Sequence, residues 1–251
     1  MKIEKYKKLK SGKYEVYLED DRCLELYEDS ILKYNLLISK EIDDKLIEEI
    51  QKDNNYLDAY YLSLKYLDIR PRSKKEINDN LVKKGFDSEV IIDTVKKLER
   101  QGYINDLSFG RMFLNNKLIT TSNGPLKIRK ELQQHNLSNE DINSILEDYT
   151  EAIQKEKIDK QINRIVKSNH NKGNVYIKRK ISMDLNNEGF NSYLIEQEIN
   201  NLELVDDSDK AKQEYDKLYK KLSKKYSGSE LEFKINQKLY QKGFHYEKKN
   251  I

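Results

Sequence analysis

The side chains best placed to do chemistry in this sequence are cations, and their spacing suggests binding rather than bond-making. Arg70, Arg72, Lys74 and Lys75 crowd six positions, and six basic residues stand between Arg70 and Lys84 against only Glu76 and Asp79. Lys127, Arg129 and Lys130 form a second group. From Lys160 to Met183 there are seven (Lys160, Arg164, Lys167, Lys172, Lys178, Arg179, Lys180), with His170 and no carboxylate. Arginine can grip a carboxylate or phosphate with two parallel hydrogen bonds, whereas lysine acts as a point charge. Such groups suit an acidic protein surface or an exposed nucleic-acid backbone. Acid collects elsewhere, at Glu41–Asp53, Glu140–Glu151 and Glu203–Asp209, and Glu230 and Glu232 precede Lys234 near the end of the chain.

The sequence carries no recognisable catalytic pattern. His135, His170 and His245 have no Cys or His neighbour at metal-ligand spacing. The sequence has no glycine-rich phosphate loop and no G-x-S-x-G elbow. Asn105-Asp106 and Asp206-Asp207 fit helix capping better than acid–base work. Cys23 reads as a small buried hydrophobe rather than a nucleophile. Tyr56, Tyr60, Tyr61 and Tyr66 lie at helical spacing and read as core or rim packing. No enzyme activity, cofactor or metal is expected.

The 251 residues carry 47 Lys and Arg against 44 Asp and Glu, a net charge of +3. That balance excludes a uniformly basic nucleic-acid coat. Hydrophobic residues make up 37%, a low share that 18 Tyr supplement with buriable area. One thiol cannot form an internal disulfide, which points to a reducing compartment. No stretch approaches a membrane span, and MKIEKYKKLK lacks the apolar core of a secretory signal. A soluble, intracellular protein is expected.

A repeat must position the cations. Ile77, Ile128, Ile181 and Ile235 recur at intervals of 51, 53 and 54 residues, each followed four positions later by Leu81, Leu132, Leu185 or Leu239. Gly85, Asn136, Gly189 and Gly243 come next in register, then Phe86, Leu137, Phe190 and Phe244. Ile91, Val95 and Leu98 map onto Ile142, Leu146 and Tyr149, and then onto Ile195, Ile199 and Leu202. The i,i+4 pairs mark one face of a helix. Glycine or asparagine, both tolerant of positive φ, ends that helix, and Ser88, Ser138 and Ser192 start the next. Each copy should hold three helices, in the first near Tyr56–Asp68, Ser73–Lys84 and Ser88–Gln101, with Arg70-Pro71-Arg72 as a turn. The basic groups would then recur at the start of each middle helix as a discontinuous positive stripe, which the fourth copy interrupts.

Before the repeats, Tyr14, Val16 and Leu18 alternate with polar neighbours, as do Leu24 and Leu26, giving a two- or three-stranded antiparallel element with Ile3–Leu9. Ile31–Leu37 and Asp43–Gln51 look helical. The expected fold is mainly α: tandem three-helix repeats in an elongated, curved array, with a small N-terminal β element. The expected division is 1–55 (β-hairpin and helical segment), 56–104, 105–151 and 152–205 (three repeats), and 206–251 (a partial fourth repeat as cap).

Three segments resemble the RecX family. Arg70-Pro71-Arg72-Ser73-Lys74-Lys75-Glu76-Ile77, followed by Lys84-Gly85-Phe86, is similar to that family's R-x-R-S-x-x-E-L…K-G-F. Gly102-Tyr103-Ile104-Asn105-Asp106-Leu107-Ser108-Phe109-Gly110 resembles G-Y-I-D-D-x-x-Y-A, and Gly124-Pro125-Leu126-Lys127-Ile128-Arg129-Lys130-Glu131-Leu132 resembles G-P-x-x-I-x-x-E-L. Asn174-Val175-Tyr176 departs from a Gly-Pro start, and Asn136 from the glycine. The resemblance implies a cytoplasmic, non-catalytic modulator of the RecA recombinase, concerned with homologous recombination, DNA repair and the SOS response. It implies a monomer that lies along the groove of the RecA–DNA filament and alters filament stability and strand exchange, usually negatively. Weak single- or double-stranded DNA binding is compatible with it, and a helix-turn-helix-like DNA-binding protein is the alternative. The expected contact residues are Arg70, Arg72, Lys74, Lys75, Lys127, Arg129, Lys130, Lys178, Arg179 and Lys180.

Overall fold

The computed structural model describes residues 1–245, and positions 246–251 of the expected fourth copy lie outside the described residues. The fold is mainly α-helical with one small sheet at the N-terminus. The chain forms two compact units, Met1–Phe109 and the residues from Gly110 onward.

In the first unit, strands β1 (Ile3–Lys8), β2 (Tyr14–Leu18) and β3 (Cys23–Leu26) form an antiparallel sheet in that order. Val16 pairs with Leu24 and Tyr14 with Leu26, so one face carries the apolar set. Val16, Leu18, Leu24 and Leu26 are buried with Ile31, Leu36, Ile42, Ile47 and Ile50. Those residues come from α1 (Glu28–Lys33), α2 (Leu36–Ser39), the link after it and the start of α3 (Asp44–Ile69). The same alternation turns Cys23 outward, which corrects the expectation of burial. Its thiol is pushed upward in pKa, first by desolvation and then by the carboxylates of Glu15 and Glu25, so the thiolate is disfavoured.

Two expected helices are one. α3 runs unbroken for 26 residues through the expected gap between Gln51 and Tyr56. Asparagine is a poor helix residue because its side chain competes for backbone groups. Here Asn54 is buried and spends its side chain on the sheet, accepting from the Tyr27 N–H at 3.1 Å and donating to the Glu25 carbonyl at 3.0 Å. The expected helix over 31–37 is instead split at Asn35, whose φ is +51°.

The C-terminal half of α3, α4 (Lys74–Lys83) and α5 (Ser88–Arg100) make the first three-helix module. Ile77, Leu81 and Leu98 are fully buried with Ala59, Tyr60, Ile91 and Ile104. Ser73 and Glu76 cap α4 reciprocally, the side chain of each meeting the other's backbone N–H.

Helix α6 (Asp106–Thr120) straddles the division between the units. The second unit continues with α7 (Pro125–Gln134) and α8 (Asn139–Glu147), then α9 (Glu151–Ser168), α10 (Asn174–Glu188) and α11 (Ser192–Asn201), then α12 (Ser208–Leu222) and α13 (Gly228–Gln241). Ile128, Ile181 and Ile235 are fully buried, as is Ile77 in the first unit, and the leucines four residues later are at most 2% exposed. The recurring core position is therefore real in every copy.

The expected helix starts need one revision. Ser138 caps α8 through its hydroxyl, but Ser88 and Ser192 are first residues of their helices, after Asp87 and Asn191. Asn105 and Asp206 each accept a backbone N–H at the start of the helix that follows, from Ser108 and Ser208. Their neighbours cap a second helix. Asp106 accepts the Lys74 N–H at 2.9 Å, and Asp207 accepts the Asn174 N–H at 2.6 Å. The corresponding first residue of α7 is Pro125, which has no N–H to satisfy.

Lys157 is another, half-buried connection. Its ammonium donates to the carbonyls of Leu118 and Thr121 at 2.6 and 2.7 Å, closing the C-terminal end of α6. Desolvation lowers its pKa. Lys157→Met keeps the stem but leaves both carbonyls without this donor, and should cost about 1–3 kcal/mol, read as a lower denaturant midpoint at unchanged m-value.

Candidate partner-binding surface

The structure sorts the ten expected contact residues into two sets. In the first copy the cations are consumed internally. Arg72 exposes only 10% of its side chain, lies 3.9 Å from the Tyr66 ring centroid and pairs with Glu76 at 3.6 Å. Arg70 also pairs with Glu76, Lys74 with Glu99 at 2.6 Å and Lys75 with Asp79 at 2.7 Å. In the later copies Lys127 pairs with Glu188 at 3.0 Å and Lys180 with Asp184 at 2.9 Å.

Arg129, Lys130, Lys178 and Arg179 remain. Among the described residues none of them has a carboxylate within 4 Å. Arg129 donates to Asn143 Oδ1 at 2.7 Å, and the Arg179 guanidinium lies 5.8 Å from the Tyr176 ring, which Lys172 also approaches at 5.1 Å.

Their equivalence depends on a register that the isoleucine alignment hides. α10 has 15 residues where α4 and α7 have 10. The added turn is at its N-terminal end, where Gly173 occupies the N-cap as Gly124 does in α7. Counted from those caps, Arg129-Lys130 and Lys178-Arg179 are both the fifth and sixth helical residues. The same positions of α4 are Asn78 and Asp79. Within the expected discontinuous stripe, the cations that have no ion pair form a pair one turn into the middle helix of the second and third copies.

Each pair has an apolar companion that the sequence reading missed. Leu126 is 53% exposed and Val175 45% exposed, both at the second helical position. Residues three and four apart share a helix face, so Leu126 stands beside Arg129 and Lys130, and Val175 beside Lys178 and Arg179. A single exposed aliphatic is ordinary, but the same aliphatic-cation-cation triplet at the same positions of two copies is a repeated face. An apolar residue outside the i,i+4 core register was its signal in the sequence.

Two backbone joints hold these helices. The Gly124 N–H donates to the Glu188 carbonyl at 2.7 Å, and the Leu126 N–H to the Gly189 carbonyl at 3.0 Å. The Gly173 N–H donates to the Lys242 carbonyl at 2.9 Å. The start of α7 thus sits on the end of α10, and the start of α10 on the end of α13, with opposite helix-dipole ends in contact. A Cβ on Gly124 would stand 2.5 Å from the Gly189 backbone, and one on Gly173 2.1 Å from the Gly243 carbonyl oxygen. The absence of a side chain at both caps lets the copies approach to backbone contact.

No group of three or more His, Cys, Asp or Glu side chains among the described residues could hold a metal ion. In a cleft of about 550 Å³ in the first unit, the lining residues Lys13, Tyr27, Asp58 and Tyr61 are engaged with one another or nearby. Asp58 takes both Lys13 and the Tyr27 hydroxyl, and Tyr61 donates to Asp29. Among the described residues no helix is long and apolar enough to cross a membrane.

Fold and surface together define a helical-repeat protein that carries the same cationic helix face on α7 and α10. Residues 59–98 match the family model of the RecX first three-helix domain. The regulatory protein RecX of Oceanobacillus iheyensis is 30% identical over 221 residues, covering 86% of this chain and 81% of that protein. The Listeria monocytogenes serotype 4a protein of the same name is 29% identical over 239 residues, covering 94% and 88%. A crystal structure of a regulatory protein RecX superposes with a TM-score of 0.70 at 26% identity, covering 78% of this chain and 97% of that one. The chain belongs to the RecX family of regulatory proteins.

Proposed function

We propose that the protein is a non-enzymatic, negative regulator of the RecA recombinase. It acts as a cytoplasmic monomer without a cofactor, binds along the groove of the RecA–DNA filament, and alters filament stability and strand exchange. The observation that carries this reading is the repeated triplet, Leu126-Arg129-Lys130 and Val175-Lys178-Arg179, within a chain of the RecX family. A helical polymer offers the same acidic and apolar features at regular intervals, so a face repeated on two joined helices can meet two of them. Binding of the second face is then intramolecular and strengthens the whole without new contacts.

Arg129, Lys130, Lys178 and Arg179 are the principal contacts in this reading. Arg70, Lys74, Lys75, Lys127 and Lys180 are secondary, because each must exchange an internal ion pair for an external one, a transaction worth little at an exposed site. Arg72 supports the turn before α4.

Titration of the protein against single-stranded DNA, duplex DNA and an ATP-analogue RecA–DNA filament, at two salt concentrations, tests the reading. Preference for the filament is the expected result. Equal affinity for naked duplex, falling steeply with salt, would instead assign a helix-turn-helix-like DNA-binding role.

A further inference from the structure

We propose that the lysine-rich end of α12 is a binding site for the phosphodiester backbone of a nucleic acid. From Lys217 to Ser229 the chain carries five lysines and no carboxylate. Lys217, Lys220, Lys221, Lys224 and Lys225 are all exposed, and among the described residues none has an ion-pair partner. Several lysines elsewhere are neutralised at helical spacing, as in Lys75–Asp79, Lys155–Glu151, Lys160–Glu156 and Lys180–Asp184. Here the nearby acids are committed away from the patch. Glu214 pairs with Lys242 at 2.6 Å, and Glu232 accepts from the Tyr215 hydroxyl at 2.7 Å. Asp216 stands four residues before Lys220 without forming an ion pair within 4 Å.

Helix polarity explains part of the cluster only. Lys220 and Lys221 lie in the last turn, where a cation suits the negative end of the dipole. Lys217 lies earlier, and Lys224 and Lys225 follow the helix. Lys217 and Lys221 are four apart on one face of α12, and Lys224 follows just beyond its end.

The chemistry of the patch favours nucleic acid over an acidic protein. Protein interfaces are anchored by buried apolar or aromatic contacts, and the aliphatics here, Leu218 and Leu222, already face the core. Instead Tyr219, 43% exposed with its ring stacked on Tyr215 at 6.2 Å, stands among the lysines and extends an aromatic stack toward the surface on which a base could continue. All five cations are lysines, which suit a row of phosphates as point charges. The first turn of α13, the middle helix of the fourth copy, is acidic through Glu230, and the lysines of that copy precede the helix rather than start it.

This inference stands apart from the RecA reading, because its test contains no RecA. The full chain and a variant with all five lysines changed to Gln would be titrated by fluorescence anisotropy. The probes are a labelled oligonucleotide of about 20 residues, single-stranded or duplex, and poly-glutamate as competitor. Circular dichroism should be unchanged, because every substituted side chain is in solvent. The variant should bind at least about tenfold more weakly at low salt, and its log-log salt slope should flatten by about 2 or more. Loss with both oligonucleotides, or with the single strand alone, supports the site. Unchanged affinity and slope, or a patch that takes poly-glutamate and not DNA, overturns it. A parallel variant with Arg129, Lys130, Lys178 and Arg179 changed to Gln should retain the steep slope.

Discussion

A Gly173→Ala protein should unfold about 6–12 °C below the wild type by circular dichroism. Gly173 has ordinary extended φ, −75°, so alanine brings no backbone strain of its own. The added Cβ would instead lie 2.1 Å from the Gly243 carbonyl oxygen and 2.4 Å from its carbon. Both are backbone atoms at the end of α13, which cannot rotate aside as a side-chain tip does. The joint must open, losing the Gly173-to-Lys242 hydrogen bond and its packing, at about 3 kcal/mol. For a chain of this length each kcal/mol moves the midpoint by about 2–4 °C.

Gly85→Ala is the control. Gly85 has φ +84° with nothing within 4 Å of a Cβ, so it should show only left-handed strain of about 1–2 kcal/mol. Gly243→Ala combines φ +81° with a Cβ 2.3 Å from the Tyr176 nitrogen and should exceed both. If Gly173→Ala is no worse than wild type, the joint does not hold the copies.

Leu132→Asp should be the most damaging substitution of all. Leu132 is fully buried on α7, beside the equally buried Ile128, and an unpaired carboxylate there costs several kcal/mol. The module built on α6, α7 and α8 should melt, losing far-UV helical signal and becoming protease-sensitive between Gly110 and Tyr149. Retained helicity with a cooperative transition would mean that this position is not core. Leu81→Asp should do the same to α4 in the first unit, where Leu81 is equally buried.

Much of this was legible in the sequence because burial leaves a period. Ile77 with Leu81, and its three counterparts, show four-residue spacing since each pair must face one core. Val16 with Leu18, and Leu24 with Leu26, show two-residue spacing since a strand alternates its faces. What was hidden depends on partners distant in the chain. Asn54 continues a helix because the sheet backbone takes up its amide. The start of α10 was obscured because an added turn repeats the isoleucine at Ile177 and Ile181, so alignment on Ile181 misplaces the cap.

The cationic surface was only half legible. Position in the sequence suggested ten contact residues, but only the folded chain shows that Glu76, Glu99, Asp79, Glu188 and Asp184 neutralise six of them. The lysines of α12 fall outside the expected stripe because they precede the middle helix of the fourth copy, where Glu230 and Glu232 stand before Lys234. Glu232 is engaged by Tyr215, and Glu230 belongs to the first turn of α13.

The most direct test of the account is filament affinity after Arg129→Glu, Lys130→Glu, Lys178→Glu and Arg179→Glu together, measured at about 0.15 M salt where screening is already substantial. All four side chains lie off the buried register of their helices, so helical content should be that of the wild type. The account predicts at least about a tenfold loss of binding to the RecA–DNA filament, while the same reversal at Lys75 and Lys180 has a smaller effect. Wild-type affinity in the fourfold variant would contradict the claim that two equivalent helix faces meet the filament.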